Sequence, residues 1–499
     1  MSVAQAVMKD WLTKNAGQTY GNYIAGQWKD ADSGSLMARY DASDRSQVLG
    51  HFQQSGASDI AAAVAAAETA FGTWSKRPAP ERAQVLLRFA ELLDKEADGL
   101  AYRCSAEQGK VLAEAYGEVG RAAAEVRFAA GEALRMNGEV HPSEKPNMVN
   151  TVMHQPIGVI GAITPWNFPI VAPVRKIAPA LAYGCTVVLK PASLTPWCAV
   201  YLMELLEEAG VPPGVVNLVT GSGSEAGNAL VTHPQVRGIS FTGSSELGKR
   251  INAQAAGQLK KTQLELGGKN AAIVLDAESI DGAAKQIVGA AFSCTGQRCT
   301  AISRVIVLKR HADAMEQALV SEMTRIQAGP AWDEKVGIGP LIDQGQLESV
   351  QHYVQLGLEE GAQLVCGGEV LTGANYDGGA YMAPALFRSV QPHMKLAMEE
   401  IFGPVLCMIE VEDEQAAVEA ANATVYGLAA SLFTSQHDAC WRIADKLECG
   451  MVHVNHGTAS QAHMPFGGVK QSGYGAYSIG HSNMAFFTEP KAVYIQYTS

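Results

Sequence analysis

The second third of the chain alternates short apolar runs with helical segments. The runs are rich in Val and Ile, and turns connect them to the helical stretches. The runs are Val159–Ile163, Thr186–Lys190, 215–219 and 239–242, and the main helical stretches are 175–183, 196–209 and 246–256. Apolar runs without a polar alternate face are typical of parallel strands covered by helices on both sides. The pattern predicts a parallel sheet with a βαβ nucleotide-binding layout.

The rest of the chain is also predominantly α/β. Helical spacing occupies residues 58–72 and 81–96, helical character continues over 105–134, and a second α/β series starts near residue 271 and carries Cys299. The tail, 485–497, is predicted to be an exposed strand. With 499 residues, the chain is too long for one compact core. We therefore expect two or three domains.

The net charge and the cysteine content exclude several classes of protein. The net charge of −12 is spread along the chain without a basic run, which argues against nucleic acid or an anionic membrane surface as partner. No window has the apolar length of a membrane span, and the N-terminus lacks the pattern of a signal peptide. Nine irregularly spaced cysteines fit reduced thiols better than a disulfide framework. We predict a soluble cytoplasmic protein.

Two segments offer complementary reactive groups. The thiol of Cys299 follows Gly296 in a short loop-like stretch, and the carboxylate of Glu265 precedes Gly267 and Gly268. Glycines let backbone pass close to a ligand. A thiol nucleophile and a carboxylate able to activate water are the minimum set for making and hydrolysing a thioester. The two segments therefore indicate covalent catalysis on a cysteine.

Two further motifs complete a recognisable set. They are Pro165-Trp166-Asn167-Phe168-Pro169 and Glu400-Ile401-Phe402-Gly403-Pro404. Together the four motifs resemble the aldehyde dehydrogenase superfamily, and the resemblance extends from about residue 20 to 497. Residues 465–473 are similar to succinic semialdehyde enzymes, and 296–301 to those for ketoglutaric semialdehyde. The resemblance implies an α/β fold with a Rossmann-like parallel-sheet cofactor domain, a second α/β catalytic domain and a small β oligomerisation arm.

The resemblance also implies domain limits and a partner. The NAD(P)-binding domain is expected to comprise residues 1–137 and 156–264, the catalytic domain 265–480, and the oligomerisation arm 138–155 and 481–499. In the resembled family the arm reaches a second subunit. We therefore expect a homodimer or homotetramer.

Three residues receive catalytic roles from the resemblance. Cys299 attacks the aldehyde, Asn167 and the Cys299 backbone N–H stabilise the oxyanion, and Glu265 activates water. Because thiolate is required, we expect the site to favour it. On general statistics, Cys299 is a small buried hydrophobe, Glu265 a capping or ion-paired carboxylate, and Asn167 a turn residue. The match to Gly-Gln-x-Cys favours catalysis, and Cys294 is expected to be a bystander.

Turns between strands and helices supply the predicted cofactor contacts. The glycine spacing of 221–227 misses the dinucleotide fingerprint by one residue, whereas 241–246 leads into a helix N-terminus that suits phosphate. By resemblance, the residues that bind NAD or NADP are Lys190, Ser193, Ser244, Gly243, Gly221, Trp166, Thr164, Glu400 and Phe402. NAD-preferring relatives often carry Glu where this chain has Ser193. We therefore predict that NADP is tolerated.

Substrate recognition is the least determined part. Arg175 stands where semialdehyde enzymes carry Arg, and a guanidinium suits a carboxylate. Arg298, Ser460 and Phe466 are the other predicted substrate contacts, with Gln461 an alternative to Ser460. Either arginine could instead form an internal salt bridge. Ser293 occupies the place of the second clamp arginine of the succinic branch, so the pocket is expected to accept a longer or aromatic acid.

The sequence supports one leading function and three alternatives. The leading hypothesis is NAD(P)-dependent oxidation of a small-molecule aldehyde, a carboxylate-bearing semialdehyde, to the free acid. A broad aromatic or aliphatic aldehyde dehydrogenase is the first alternative, and a non-redox cysteine hydrolase and a non-catalytic binding protein are the others. No metal motif is evident, and we interpret His453 and His456 as non-ligands.

Overall fold

The computed structural model describes residues 3–497. Residues 1, 2, 498 and 499, which the predicted domain limits include, lie outside the described part. The N-terminal part contains five short strands and five helices: α1 Val3–Asn15, β1 Gln18–Tyr20, β2 Asn22–Ile24, β3 Gln27–Lys29, β4 Leu36–Tyr40, β5 Val48–Gln53, α2 Ala57–Trp74, α3 Ala79–Lys95, α4 Ala97–Gln108 and α5 Leu112–Ala133. The predicted continuous helical stretch 105–134 is interrupted after α4, because Gly109 adopts a left-handed φ of 90°.

The next part forms an arm and the first large sheet. Its elements are β6 Glu139–His141, β7 Met148–Pro156, β8 Val159–Ile163, α6 Val171–Tyr183, β9 Thr186–Lys190, α7 Trp197–Glu208, β10 Val216–Leu218, α8 Asn228–Thr232, β11 Val236–Thr242, α9 Ser245–Ala256 and β12 Lys261–Glu265. The sheet runs β12-β11-β8-β9-β10, and these five strands are parallel. The predicted parallel sheet is thus present.

Helices cover both faces of this sheet. Ile160 and Leu189 pack into a core with α3, α5, α6 and α7, whereas Val159 and Val188 pack on the other side with α2, α8 and α9. Successive strand residues thus face opposite helix layers, which explains why every position of β8 and β9 is buried. The two-sided burial accounts for the continuous apolar runs in the sequence.

The second large sheet holds the part of the chain that carries Cys299. Its elements are β13 Asn270–Asp276, α10 Ile280–Phe292, β14 Ile302–Leu308, α11 Ala312–Met323, α12 Gln344–Glu359, β15 Gln363–Cys366, β16 Ala385–Arg388, α13 Lys395–Met398, β17 Val405–Val411, α14 Glu414–Asn422, β18 Tyr426–Gly427, β19 Ala429–Thr434, α15 His437–Lys446 and β20 Met451–Val454. The order is β15-β16-β17-β14-β13-β19-β20, parallel except for β15. The chain therefore contains two α/β sheets, as the sequence predicts.

The C-terminal part returns to both the first sheet and the arm. It contains β21 Val469–Lys470, β22 Gly473–Tyr474, α16 Met484–Phe487 and β23 Thr488–Gln496. β22 extends the first sheet by pairing antiparallel with β12, and β23 pairs with β7 along nine residues. The predicted strand 485–497 is wrong over its first residues, because the buried rings of Phe486 and Phe487 hold that segment in a short helix packed on Tyr183.

Candidate active site

Several predicted site residues lie at the carboxyl edge of the first parallel sheet. Lys190, Thr242 and Glu265 are the last residues of β9, β11 and β12, while Thr164 and Gly221 lie just beyond β8 and β10. Carboxyl ends of parallel strands meet at one edge, which is where such sheets bind ligands. The topology therefore gathers residues that lie far apart in the sequence.

Cys299 follows a tight turn at the end of α10. Cys294, Thr295 and Gly296 are left-handed in succession, with φ values of 55°, 57° and 71°. A Cβ on Gly296 would lie 2.3 Å from the carbonyl oxygen of Gly403. Glycine is therefore required at position 296 both by its φ and by this close approach.

Hydrogen bonds fix the backbone around the nucleophile. The Asn167 side-chain amide donates to the Gln297 carbonyl at 2.9 Å, and the Asn270 amide donates to the Cys299 carbonyl at 2.7 Å. The Gln297 side chain accepts from the Ile342 N–H at 2.9 Å. The contact with Gln297 holds the Asn167 amide beside the cysteine turn, and its second N–H remains for another acceptor. Asn167 is therefore placed where the resemblance requires an oxyanion donor.

A buried ion pair holds the backbone of Asn167 in place. The Lys110 ammonium donates to the Asn167 carbonyl at 2.8 Å and to Glu118 at 2.6 Å. The side chains of Lys110 and Glu118 are each 1% exposed. Glu118 also accepts the N–H groups of Ile170 and Val171 at the start of α6. Because Lys110 and Glu118 neutralise each other, the pair can position Asn167 without leaving an unpaired buried charge.

Glu265 has a half-satisfied carboxylate. Its Oε2 accepts from the Thr242 hydroxyl at 3.3 Å, while Oε1 is buried without a hydrogen-bond partner among residues 3–497. The Lys176 ammonium donates to Thr242 Oγ1 at 2.9 Å. Burial raises the pKa of Glu265, against the lowering influence of Arg175 and Lys176, and burial lowers the pKa of Lys176 to about 8. A carboxylate with a raised pKa and a free oxygen suits a general base.

The environment of Cys299 favours the protonated thiol. Burial raises its pKa to about 12, and the carboxylates of Glu265 and Glu400 act in the same direction. Arg175 and Arg298 oppose this shift without cancelling it. These directions run against the expectation that the site itself favours thiolate, which stays a prediction. Ionisation of Cys299 therefore requires a base, and Glu265 is the neighbouring candidate.

The predicted catalytic residues share one cavity of about 300 Å³. Cys299, Glu265 and Asn167 line it together with the predicted substrate contacts Arg175, Arg298, Ser460 and Phe466. Gln461 is exposed and is not among the lining residues, which favours Ser460 of the two alternatives. The structure thus brings all seven residues to one place.

Arg175 forms the internal ion pair that the sequence left as an alternative. Its Nε and Nη2 donate to the two oxygens of Glu125 at 3.1 and 2.8 Å, and its Nη1 lies 3.9 Å from Glu265. The guanidinium also stacks over the Phe466 ring, 4.6 Å from its centroid. Arg298 is held differently, since it donates to the Ala290 carbonyl at 2.6 Å and has no carboxylate within 4.0 Å in the described part. Arg175 is therefore paired with a carboxylate, whereas Arg298 is held by a neutral carbonyl group.

Comparison with known proteins assigns the family. Residues 28–493 match the family model described as the aldehyde dehydrogenase family. The chain belongs to the aldehyde dehydrogenase family. It is 39% identical to an alpha-ketoglutaric semialdehyde dehydrogenase of Bacillus subtilis, covering 96% of this chain and 98% of that protein. It is also 39% identical to an NADP-dependent succinate-semialdehyde dehydrogenase of Escherichia coli, covering 91% and 93% of the two chains.

Solved structures agree with this assignment. A crystal structure of an NAD-dependent aldehyde dehydrogenase from Sinorhizobium meliloti is similar with a TM-score of 0.94 and 35% identity, covering 97% of this chain and 95% of that one. The predicted α/β fold and the predicted enzyme class, an NAD(P)-dependent aldehyde dehydrogenase, are confirmed. The roles of single residues and the domain limits remain predictions.

The sheet edge of this aldehyde dehydrogenase fits a dinucleotide. Lys190 is buried, and within residues 3–497 its ammonium donates only to the carbonyl of the adjacent Pro191; burial lowers its pKa to about 8. Thr164 Oγ1 is buried without a partner among the described residues. Ser244 caps α9, a helix whose N-terminus offers N–H groups to phosphate. These groups are available to the predicted dinucleotide, and their roles stay predictions.

The nicotinamide side is defined by Glu400 and two aromatic residues. Glu400 accepts from the Gly268 N–H at 2.9 Å, and a Cβ on Gly267 would lie 2.3 Å from the Glu400 carboxylate. Trp166 and Phe402 meet edge to face with centroids 5.3 Å apart. On the adenosine side, the Ser193 hydroxyl donates to the Gly221 carbonyl at 2.9 Å. The roles of these residues toward NAD or NADP stay predictions.

Two residues that line the cavity, and a third that neighbours them, were missed by the sequence analysis. Arg121 and Glu114 line the cavity from α5, and Glu125 lies one turn beyond Arg121. Polar residues spaced three or four apart on an Ala-rich helix were the available signal. That spacing places them on one helix face, which here is turned toward Cys299.

Two other observations concern metals and membranes. In residues 3–497 no group of three or more His, Cys, Asp or Glu is arranged to hold a metal ion. His453 lies in β20 and His456 beyond its end, with ring centroids 5.0 Å apart. No helix in the same range combines the length and apolar character needed to cross a membrane.

Proposed function

We propose that this protein oxidises an aldehyde that bears a second, carboxylate group to the free acid, with NAD or NADP as oxidant. The observation that carries the proposal is the cavity in which Cys299, Glu265 and Asn167 lie beside Arg121, Arg175 and Arg298. Guanidinium groups at the cavity supply N–H donors that suit an anionic substrate. The semialdehyde enzymes at 39% identity support the same substrate class.

The proposed reaction begins with Cys299. Glu265 accepts the thiol proton, and the sulfur attacks the aldehyde carbon. The carbonyl oxygen becomes an oxyanion that accepts hydrogen bonds from the Asn167 amide and the Cys299 backbone N–H, a type of contact worth about 3–4 kcal/mol. Bound NAD or NADP would supply the hydride acceptor, which the conversion of the thiohemiacetal at Cys299 to a thioester requires. The chain's own contribution is orientation and charge stabilisation.

The second half of the reaction releases the acid. After losing its proton to solvent, Glu265 takes a proton from water, whose oxygen attacks the thioester carbon. The carbon–sulfur bond breaks, the acid leaves, and the thiol of Cys299 is restored. The free Oε1 of Glu265 is the atom available to the water, because Oε2 is engaged by Thr242. A base near the thioester favours hydrolysis over transfer to another acceptor.

A non-redox cysteine hydrolase is the weaker alternative. Such enzymes activate their thiol with histidine, and no histidine is among the described residues that line the cavity. A hydrolase would also make no use of the residues at the sheet edge that are predicted to bind a dinucleotide. These two observations favour the dehydrogenase.

Steady-state specificity tests the proposed function. We would measure kcat/KM for succinic, glutaric and ketoglutaric semialdehydes against butanal, hexanal and benzaldehyde, with NAD and with NADP. Higher values for the semialdehydes support the proposal. Equal or better turnover of the neutral aldehydes would move the function to a broad aldehyde dehydrogenase. Turnover without cofactor reduction would revive the hydrolase.

We also propose that the arm pairs with a second copy of the chain. β6, β7 and β23 form a three-stranded antiparallel sheet that carries exposed apolar side chains, namely Val140, Met153, Tyr494, Ile495 and Tyr497. Exposed apolar groups on a sheet are a liability unless a partner covers them. Light scattering with size exclusion should give a dimer or tetramer, and Tyr494→Lys should reduce the mass. A monomeric wild type would contradict the proposal.

A further inference from the structure

The basic residues of the cavity differ in how their charge is neutralised. Lys110 is paired with Glu118. The Nε and Nη2 edge of Arg175, which is the edge that suits a carboxylate, is occupied by Glu125. An incoming carboxylate would have to displace a buried carboxylate from that edge. Arg175 is therefore poorly suited to be the substrate's anchor.

Arg121 has the free capacity that Arg175 lacks. It lies on α5 one turn after Gly117 and Glu118, and all three residues line the cavity. Its Nε donates to Glu125 at 2.8 Å and its Nη1 to the Ser460 carbonyl. Its Nη2 has no hydrogen-bond partner among residues 3–497. The side chain is 23% exposed, so Arg121 is held at two nitrogens yet remains accessible.

The two guanidinium groups differ in their acidic partners, because Arg175 Nη1 also lies 3.9 Å from Glu265, whereas Arg121 pairs with Glu125 alone in the described part. Glu125 is a single carboxylate that accepts from both guanidinium groups, since Arg121 Nε and Arg175 Nη2 donate to the same oxygen, Oε1. The carbonyl of Ser460 is neutral. An unpaired guanidinium N–H away from water is costly. A carboxylate supplied by a ligand would complete the hydrogen bonding of Arg121 Nη2.

We propose that Arg121 binds the distal carboxylate of the substrate and that Arg175 is a positioning residue held by Glu125. The inference rests on the proposed function and assigns its recognition group. The turn around Ser460 is the second side of this subsite, because its carbonyl fixes Arg121 Nη1. The subsite therefore joins α5 to the loop after β20.

The decisive experiment compares Arg121→Met with wild type on matched substrates. We would measure kcat/KM for glutaric semialdehyde and for pentanal, which has the same carbon number without the carboxylate. Loss of a charge-assisted hydrogen bond predicts a fall of about 10- to 150-fold for the semialdehyde. Pentanal turnover should change little. Calorimetric binding of the dicarboxylate product, glutarate, should weaken by a similar factor, and this readout does not depend on turnover.

Arg127→Met is the matched control. Arg127 lies on the same helix, is solvent-exposed and pairs with Asp94 outside the cavity. It should leave both substrates unaffected. Arg121→Lys keeps the charge and should retain part of the discrimination, which also guards against poor folding of the methionine variant.

The possible results separate this inference from the proposed function. A wild type that prefers pentanal would overturn the proposed substrate class before any variant is considered. A wild type that prefers the semialdehyde, with the preference intact in Arg121→Met, would overturn the inference alone. Equal losses on both substrates would make Arg121 structural and would also overturn it.

Discussion

The Thr242 hydroxyl donates to the Glu265 carboxylate at 3.3 Å, across the last pair of residues that β11 and β12 share. The same hydroxyl oxygen accepts from Lys176 at 2.9 Å. The Thr242 hydroxyl therefore bridges the buried ammonium of Lys176 and the carboxylate of Glu265, which do not hydrogen-bond to each other directly. This arrangement ties the protonation of Glu265 to groups on two strands and one helix.

Replacing Glu265 by Gln should slow the release of an acyl group from Cys299. A general base contributes about 10²- to 10⁴-fold, so deacylation should fall within that range. The measurement is stopped-flow deacylation after p-nitrophenyl acetate, an artificial acyl donor that needs no cofactor. Glu208→Gln, at an exposed position on α7, serves as control. Unchanged deacylation in Glu265→Gln would assign the base elsewhere.

The alkylation of Cys299 by iodoacetamide should accelerate steadily with pH. Because the thiol pKa is raised to about 12, the thiolate fraction rises about tenfold per pH unit from about pH 7 to pH 10. Removing the neighbouring negative charge in Glu265→Gln should lower that pKa and speed alkylation at a given pH. Mass spectrometry of the Cys299 peptide gives the rate. A plateau below about pH 8 would show that the resting thiol is already ionised.

Lys176→Met should shift the acidic limb of the deacylation profile to higher pH. Lys176 lowers the pKa of Glu265, and the base acts as carboxylate. Without the cation the carboxyl group stays protonated to a higher pH. The profile of Lys249→Met, at an exposed lysine, should match wild type. A shift in the opposite direction is incompatible with the electrostatic role.

Glu125→Gln should destabilise the fold. Glu125 is the buried partner of both Arg121 and Arg175, and removing one side of a buried ion pair costs about 3–5 kcal/mol. Urea unfolding gives the free energy change. Asp94→Asn breaks the exposed pair with Arg127 and should cost at most about 1 kcal/mol. Similar values for the two variants would mean that Glu125 carries no buried charge.

Ser193→Glu should make the enzyme discriminate against NADP. The Ser193 hydroxyl lies against Gly221 at the adenosine end of the sheet. A carboxylate there would repel a 2′-phosphate and lower kcat/KM for NADP by about tenfold or more, with a smaller effect for NAD. Ser224→Glu, in the next turn, tests whether any added charge suffices. Equal loss with both cofactors would argue that position 193 does not face the ribose.

The sequence predicted the fold because local patterns carry it. Two-sided burial produces the continuous apolar runs of β8 and β9, and topology then brings Lys190, Thr242 and Glu265 to one edge. The sequence also singled out Cys299, Glu265 and Asn167, which the structure places in one cavity. A local sequence pattern does not show which residue a charged side chain will pair with in the fold.

The arginines illustrate that limit. Whether Arg175 meets a substrate or Glu125 depends on the packing of α5 against α6, and the two residues are 50 positions apart. The elevated pKa of Cys299 likewise comes from burial among carboxylates contributed by distant segments, Glu265 and Glu400. Such long-range electrostatics run against an expectation that was reasonable for an isolated reactive thiol.

The pairing of β22 with β12 has a consequence for assembly and folding. β12 bears Glu265 at its end, and its outer backbone groups are taken by residues 473 and 474, with a further bond from Leu266 to Ser472 at 2.9 Å. A strand near the C-terminus thus pairs with the edge strand of a sheet whose other strands come much earlier in the sequence. During synthesis that margin stays uncovered until almost the whole polypeptide has emerged, so the interval before closure is when the nascent chain is most prone to aggregate through this edge.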